Sequence, residues 1–212
     1  MLQRSPRRRS SAETRERVLA FAESAVLAKG FAATSIEELI TAAGITKSGF
    51  FYHFKDKTEL AKAMMLRYLE ADRQVLHDLF ARGDELHEDP LHGFLVGLKL
   101  FAEMLGNLPE AHPGCLAASF GYQDQLFSNE IRELNAGNVR EWRQRFRDRL
   151  ALIAAEYPPR EQVDLDALAD TAYVLVEGGL ILGRVLQDPA LLPGQIMLFR
   201  DFVRMIFTPR VN

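Results

Sequence analysis

The chain has 212 residues, 48% apolar and 26% charged, and its 26 Lys+Arg against 29 Asp+Glu leave a formal net charge of -3. That balance describes a folded globular chain rather than a disordered one, and 14 Gly with 9 Pro and no period exclude a collagen-like repeat. The single cysteine, Cys115, excludes an internal disulfide, and the mild acidity argues on its face against a nucleic-acid partner.

In chain order, nearly every apolar spacing is helical. Residues 1–10 are basic and include Arg7, Arg8 and Arg9. They read as a flexible tail, either solvated or an arm touching phosphates or a minor groove. No apolar run follows, so they form no secretory leader. Val18, Phe21, Ala22 and Ala25 share one face of a first helix, and Ile36, Leu39, Ile40 and Ala43 give i, i+3, i+4, i+7. Leu60, Met64, Tyr68, Ala71, Val75 and Leu79 extend the pattern over a long helix expected to stop near Gly83. Pro90 suits the first turn of the next, with Leu91, Phe94, Leu98, Phe101 and Leu105 inward.

Pro109 and Pro113 break the chain before a short helix holding Cys115, Leu116 and Phe120. Ser128 caps a long helix that Pro158 and Pro159 end. Leu165, Leu168, Ala172, Leu175, Val176, Gly179 and Leu182 mark another, and Ile196, Phe199, Phe202, Val203 and Ile206 the last. Strand alternation and repeats are absent, which makes the fold class all-α with about nine helices. The most apolar stretch, 172–186, is interrupted by Glu177 and Arg184 and is too short for a bilayer. No membrane partner is expected, and the expected location is cytoplasmic.

The sharpest signal lies in the first sixty residues. Ser35 with Glu38 forms a capping box ahead of one helix, and Asp56 with Glu59 a similar pair ahead of another. Gly44 suits a left-handed C-cap, Ile45 an inward contact, and Thr46 the cap of a new helix. Two short helices joined in this way make a helix-turn-helix, whose second member enters the DNA major groove. Thr46, Lys47 and Ser48 stand in its first turn, where recognition helices meet base edges, and Ser48 and Gly49 are small enough for close approach. Tyr52, His53, Lys55 and Lys57 supply donors to phosphates. Phe50 and Phe54 read as core.

The stretch Gly44-Ile-Thr-Lys-Ser-Gly-Phe-Phe-Tyr-His-Phe-Lys-Asp-Lys-Thr-Glu-Leu60 resembles the turn, recognition helix and fourth-helix start of the tetracycline-repressor (TetR) family. The portion from Thr14 through Gly30-Phe31 to Thr34-Ser35 is similar to that family's first helix and second-helix entry. By position, the resemblance makes Ser35 a phosphate contact, Lys47 and Ser48 base-facing, and Tyr52, His53 and Lys57 backbone contacts. Phe51 departs from it, since many members carry Tyr there. The resemblance covers about the first third of the chain. It implies a tail over 1–10, a DNA-binding domain over 11–60 with the helix-turn-helix at 35–54, and an effector-binding and dimerisation domain over 61–212. The implied partners are a palindromic double-stranded DNA operator, a small-molecule effector and a second copy of the chain.

Beyond residue 60 the reading is coarser. Phe101, Met104, Cys115, Leu116, Phe120, Trp142, Tyr173 and Glu177 combine apolar surface with a few polar atoms, as small-molecule pockets do, although each also suits plain core. Glu177 in an apolar helix needs a partner if buried. Cys115 follows Pro113-Gly114 at a helix start, where the dipole favours thiolate, and its segment resembles one in a subgroup with electrophile sensors. The alternative for it is a small buried hydrophobe. Gly178, Gly179 and Gly183 are unfavourable inside a helix unless close packing compensates. With Leu182, Phe199 and Phe202 they are the expected dimer contacts. Five arginines from Arg140 to Arg149 read as a solvated face or, alternatively, an anion site. His77, His87, His92 and His112 lack ligand spacing, so no metal and no cofactor are expected.

The rival reading is an all-α small-molecule carrier or enzyme with an incidental helix-turn-helix. Against it, no nucleophile–base pair, phosphate loop or metal set stands out. Charge is also unevenly spread. Residues 1–60 hold ten Lys+Arg and seven Asp+Glu, a net of +3, while residues 61–212 hold sixteen and twenty-two, a net of -6. The acidity belongs to the larger part, and whole-chain charge does not exclude nucleic acid.

Overall fold

A computed structural model describes residues 10–108 and 112–207. The Arg7–Arg9 run and Pro109 lie outside the described residues. Among the described residues there are nine α-helices, one turn of 3-10 helix and no strand. The helices are α1 (Ser11–Lys29), α2 (Ile36–Ala43), α3 (Lys47–His53), α4 (Lys57–Leu86), α5 (Pro90–Gly106), α6 (Leu116–Gly121), α7 (Asn129–Glu156), α8 (Leu165–Leu186) and α9 (Leu191–Phe207). None of them is long and apolar enough to cross a membrane.

Most helix starts are written into the local sequence. Ser10, Ser35, Thr46, Asp56, Asp89, Ser128 and Asp164 each accept a hydrogen bond from a first-turn amide. Each such cap contributes about 1 kcal/mol. The complete capping box is at Ser10 and Glu13. At Ser35 only half forms, because the Glu38 carboxylate pairs instead with Lys29 Nζ at 2.6 Å. At Asp56, the Glu59 carboxylate accepts from the Lys55 amide at 2.6 Å and steadies the entry to α4.

Gly83 does not stop α4, which runs on to Leu86. It is buried where α4 crosses α5: a Cβ at Gly83 would lie 2.4 Å from the Gly93 carbonyl oxygen and 3.0 Å from the Gly97 nitrogen. The glycine therefore serves a close helix crossing, and the chain leaves α4 ahead of Pro90, as backbone sterics before proline favour.

Two cores result. One gathers Val18, Leu19, Phe31, Leu39, Phe50, Phe54, Leu60, Met64 and Leu69 with Leu116, Phe120, Phe127 and Ile131. The other gathers Leu76, Phe80, Phe94, Phe101, Trp142, Phe146, Leu168, Ile196, Phe199 and Phe207. α4 feeds both, so the expected division after residue 60 falls within a continuous helix, and the change of core lies between Leu69 and Leu76. Among the arginines of α7, Arg140 pairs with Glu133, Arg143 with Asp170, Arg145 with Glu141, Arg147 with Asp166 and Arg149 with Asp84. Two of these pairs lie within α7 and three tie it to α8 and α4, as a solvated face does.

Candidate nucleic-acid interface and interior cavity

The α2–α3 turn has the form its residues require. Gly44 sits at φ 61°, ψ 43° and its amide reaches the Ile40 and Thr41 carbonyls. Such left-handed backbone costs glycine little. Ile45 packs against the first core, and Thr46 Oγ1 accepts from the Gly49 amide at 3.1 Å. α3 is rooted by Phe50 and Phe54, which are both buried as expected. Lys47, Ser48, Phe51 and Tyr52 are exposed, with Tyr52 at 77%. Spacings of four place Ser48 with Tyr52 and Lys47 with Phe51 on the outward side of the helix. No acidic side chain stands in its first turn.

The remaining expected interface residues have a second employment. Ser35 and Thr46 are exposed caps whose oxygens accept amide hydrogen bonds. Gly49 is half-buried, and a Cβ there would press to 3.2 Å from Thr46 Oγ1, so the cap as well as close approach asks for a small residue. His53 is half-buried, its ring 5.1 Å from that of Tyr52. Lys57 does not project freely. Its ammonium donates to the Phe31 carbonyl at 2.6 Å and lies 4.4 Å from the centre of the Phe31 ring. Burial pushes its pKa down. Carbonyls at the end of α1 hold this cation here, so the phosphate contact expected of it would share or replace them.

Between α4, α5, α7 and α8 lies a cavity of about 250 Å³. Six expected residues line it: Phe101, Met104, Cys115, Trp142, Tyr173 and Glu177. Leu116 and Phe120 do not. They are fully buried in the first core, where Phe120 stacks on Phe127 at 4.2 Å. Tyr68, Asp72, Asn138 and His112 also line the space and were not anticipated. Tyr68 and Asp72 stand one turn apart in the inward register of α4, a signal that a polar residue beside Ala71 carried faintly.

The cavity's polar groups form two sets. Tyr68 Oη is 3.2 Å from Cys115 Sγ, and the Glu177 carboxyl acts on Cys115 and Tyr173. Trp142 Nε1 donates to Asp72 Oδ2 at 2.5 Å. Burial pushes the Cys115 thiol up to about 12, with Glu177 adding to the effect. This favours the buried thiol over the thiolate. α6 is only six residues long, and burial beside a carboxyl outweighs its dipole. Burial also raises Glu177 and Asp72 above the usual carboxyl range.

The expected dimer residues divide. Gly178, Leu182 and Phe202 are on the outer side of α8 and α9. Gly179 and Gly183 serve packing within the chain: a Cβ at Gly179 would lie 3.0 Å from Leu192 Cα, and one at Gly183 3.2 Å from the Asp188 carbonyl oxygen. Phe199 is buried in the second core, 6.2 Å from the Phe146 ring. Val174, Ile181, Val185, Leu198 and Met205 are exposed and extend the outer face.

The histidines also have a surprise. His87, Asp89 and His92 bring potential metal-ligand atoms within 4.8 Å of one another, proximity that the sequence spacing had argued against. The Asp89 oxygens are already used by His92 and Tyr157.

Comparison with known proteins fits this geometry. A family profile described as "Bacterial regulatory proteins, tetR family" matches residues 18–64, from mid-α1 into α4. The transcriptional regulator AcuR of Cereibacter sphaeroides is 24% identical over 166 residues, covering 74% of this chain and 70% of AcuR. The transcriptional repressor BepR of Brucella suis biovar 1 is 31% identical over 96 residues, 43% of this chain and 44% of BepR. The chain thus spans under half of BepR. The crystal structure of a TetR transcriptional regulator from Chloroflexus aurantiacus superposes with a TM-score of 0.74 at 26% identity, covering 92% of this chain and 96% of that one. A matched N-terminal reader, a shared helical fold and an outward-facing α3 agree: residues 18–64 carry the DNA-binding region of the tetR family of bacterial regulatory proteins, and the chain is a DNA-binding transcription regulator.

Proposed function

We propose that the protein is a cytoplasmic, homodimeric repressor that holds a palindromic operator through α3 and releases it when a small molecule occupies the interior cavity. The observation that carries this reading is the connection between the two sites. The turn after α1 is gripped from both sides: Lys57, opening α4, holds the Phe31 and Ala32 carbonyls, and Gln123 Oε1 accepts from the Phe31 and Ala32 amides. α4 carries Tyr68 and Asp72 into the cavity, and Cys115, another lining residue, caps the helix leading towards Gln123. A ligand that moves α4 or α6 therefore pulls on α1 and α2 and re-aims α3. The outer apolar face of α8 and α9 joins two copies, so that two α3 helices enter successive major grooves.

In this reading Lys47 and Ser48 meet base edges, Tyr52, His53 and Ser35 meet the sugar-phosphate backbone, and Phe51 offers apolar surface to a thymine methyl. No chemistry is assigned to the cavity, because Cys115 is held as a thiol. The test is operator selection from a random DNA pool, followed by binding measurements. Lys47→Ala and Tyr52→Ala are expected each to weaken specific binding at least tenfold without loss of helix content, and wild-type affinity is expected to fall steeply with salt. Retained affinity in both variants would remove α3 from the reading.

A further inference from the structure

The cavity has an unbalanced charge inventory. Of its three acidic side chains, Glu23 is paired with Arg67 at 3.1 Å. Asp72 and Glu177 have no Lys or Arg nitrogen within 4.0 Å among the described residues; Asp72 accepts from Trp142, and Glu177 faces Cys115 and Tyr173. No Lys or Arg lines the space, and burial pushes the lining His112 down, towards its neutral form. Four aromatic rings complete the wall, those of Tyr68, Phe101, Trp142 and Tyr173. Two partly buried carboxyl groups without a direct ion pair are costly unless they stay protonated or acquire a cation. Aromatic faces attract cations in their own right.

We infer that the effector is a small organic cation, a protonated amine or quaternary ammonium, seated among these rings with Glu177 and Asp72 as its counter-charges. The inference rests on the reading of the cavity as the effector site. The volume of about 250 Å³ lies below the roughly 300–1,000 Å³ of drug-sized sites, which selects a compact cation. An anionic ligand would meet carboxyl groups and no cationic side chain, and a neutral one would leave their demand unanswered.

A pH signature follows. Facing Glu177 are Tyr68, Asp72, Cys115 and Tyr173, and facing Asp72 are Arg73, Glu141, Trp142 and Arg145. Burial raises both carboxyl groups in the empty cavity, and a bound cation favours their ionised forms. Cation affinity therefore rises with pH, and binding releases protons until both groups are ionised.

Trp142 is the sole tryptophan and lines the cavity, so its fluorescence reports occupancy directly. The full-length protein would be titrated with phenyltrimethylammonium, its uncharged isostere tert-butylbenzene, and benzoate, with operator affinity measured in parallel. The cation is expected to bind at least tenfold tighter than the isostere and to weaken operator binding, with benzoate inert. Glu177→Gln and Asp72→Asn should each cut cation affinity about tenfold and leave the isostere unaffected, provided operator binding shows both variants folded. Equal or tighter binding of tert-butylbenzene or benzoate, or unchanged cation affinity in both variants, would overturn the cation while leaving the cavity as the effector site. Silence of Trp142 and of operator affinity towards all three probes would overturn both readings.

Discussion

Gly83 shows how much a single hydrogen atom can decide. It fills the crossing of α4 and α5, where an added methyl group would lie 2.4 Å from a carbonyl oxygen of the neighbouring helix. Ala normally favours helices, yet overpacking of this kind costs about 1–3 kcal/mol. Gly83→Ala is expected to be destabilising by at least that amount in chemical denaturation, whereas Gly137→Ala, in open space within α7, should be neutral or stabilising. Asp89 makes a second residue-level prediction. Burial opposes its ionisation, but hydrogen bonds from Tyr157 and from the His92 amide and ring overcome this and hold the carboxyl down at about 2. A depressed pKa contributes stability that is present above the ordinary carboxyl value and lost as pH falls towards 2. Acid unfolding monitored by circular dichroism should show a shallower loss between about pH 4 and 2 in Asp89→Asn, which keeps a capping side chain but not the titration.

At the level of helices, α8 and α9 each carry two apolar faces. The inner faces hold Leu168, Ala172, Ile196, Phe199 and Val203 in the core, and the outer faces expose Val174, Ile181, Val185, Leu198, Phe202 and Met205. Scattered apolar residues on a surface are ordinary, but the proposed dimer would cover this set on two adjacent helices. Val185, 72% exposed, is the best place to test it, because changing it disturbs no packing within the chain. Val185→Glu is expected to give a folded monomer by light scattering and to reduce operator affinity at least tenfold, since one half-site then binds without the other. A Val185→Glu protein that remains dimeric would place the interface elsewhere.

Across the whole molecule, the two cores are joined by α4, and within the first core the side chain of Gln123 ties the segment after α6 to the end of α1. Its oxygen holds two amides at the end of α1, and its amide nitrogen fills the space above Gly30. Gln123→Ala should therefore leave effector binding, read by Trp142 fluorescence, and operator binding in the absence of effector within about threefold of wild type. What it should lose is coupling, the factor by which effector weakens operator binding. Undiminished coupling in this variant would restrict the route to α4.

How much of this was legible in advance follows from the range of each interaction. Caps at Ser35, Thr46, Asp56 and Ser128, the left-handed Gly44 and the inward Phe50 and Phe54 depend on residues three or four positions apart, so the linear pattern carried the all-α class, the order of the helices and the helix-turn-helix. Long-range partners decided the rest. Lys57 was an exposed donor until the end of α1 presented two carbonyls to it, and Leu116 and Phe120 suited a pocket until α6 docked on the first core. Phe199 and Phe202 were equivalent apolar residues until α5 and α7 covered one and not the other. Periodicity marks a helix face as apolar at no cost in context, but which apolar face meets which neighbour depends on packing between segments far apart in the chain. That packing also set Asp72 and Glu177 without a direct ion pair around one cavity, an arrangement that no local pattern encodes.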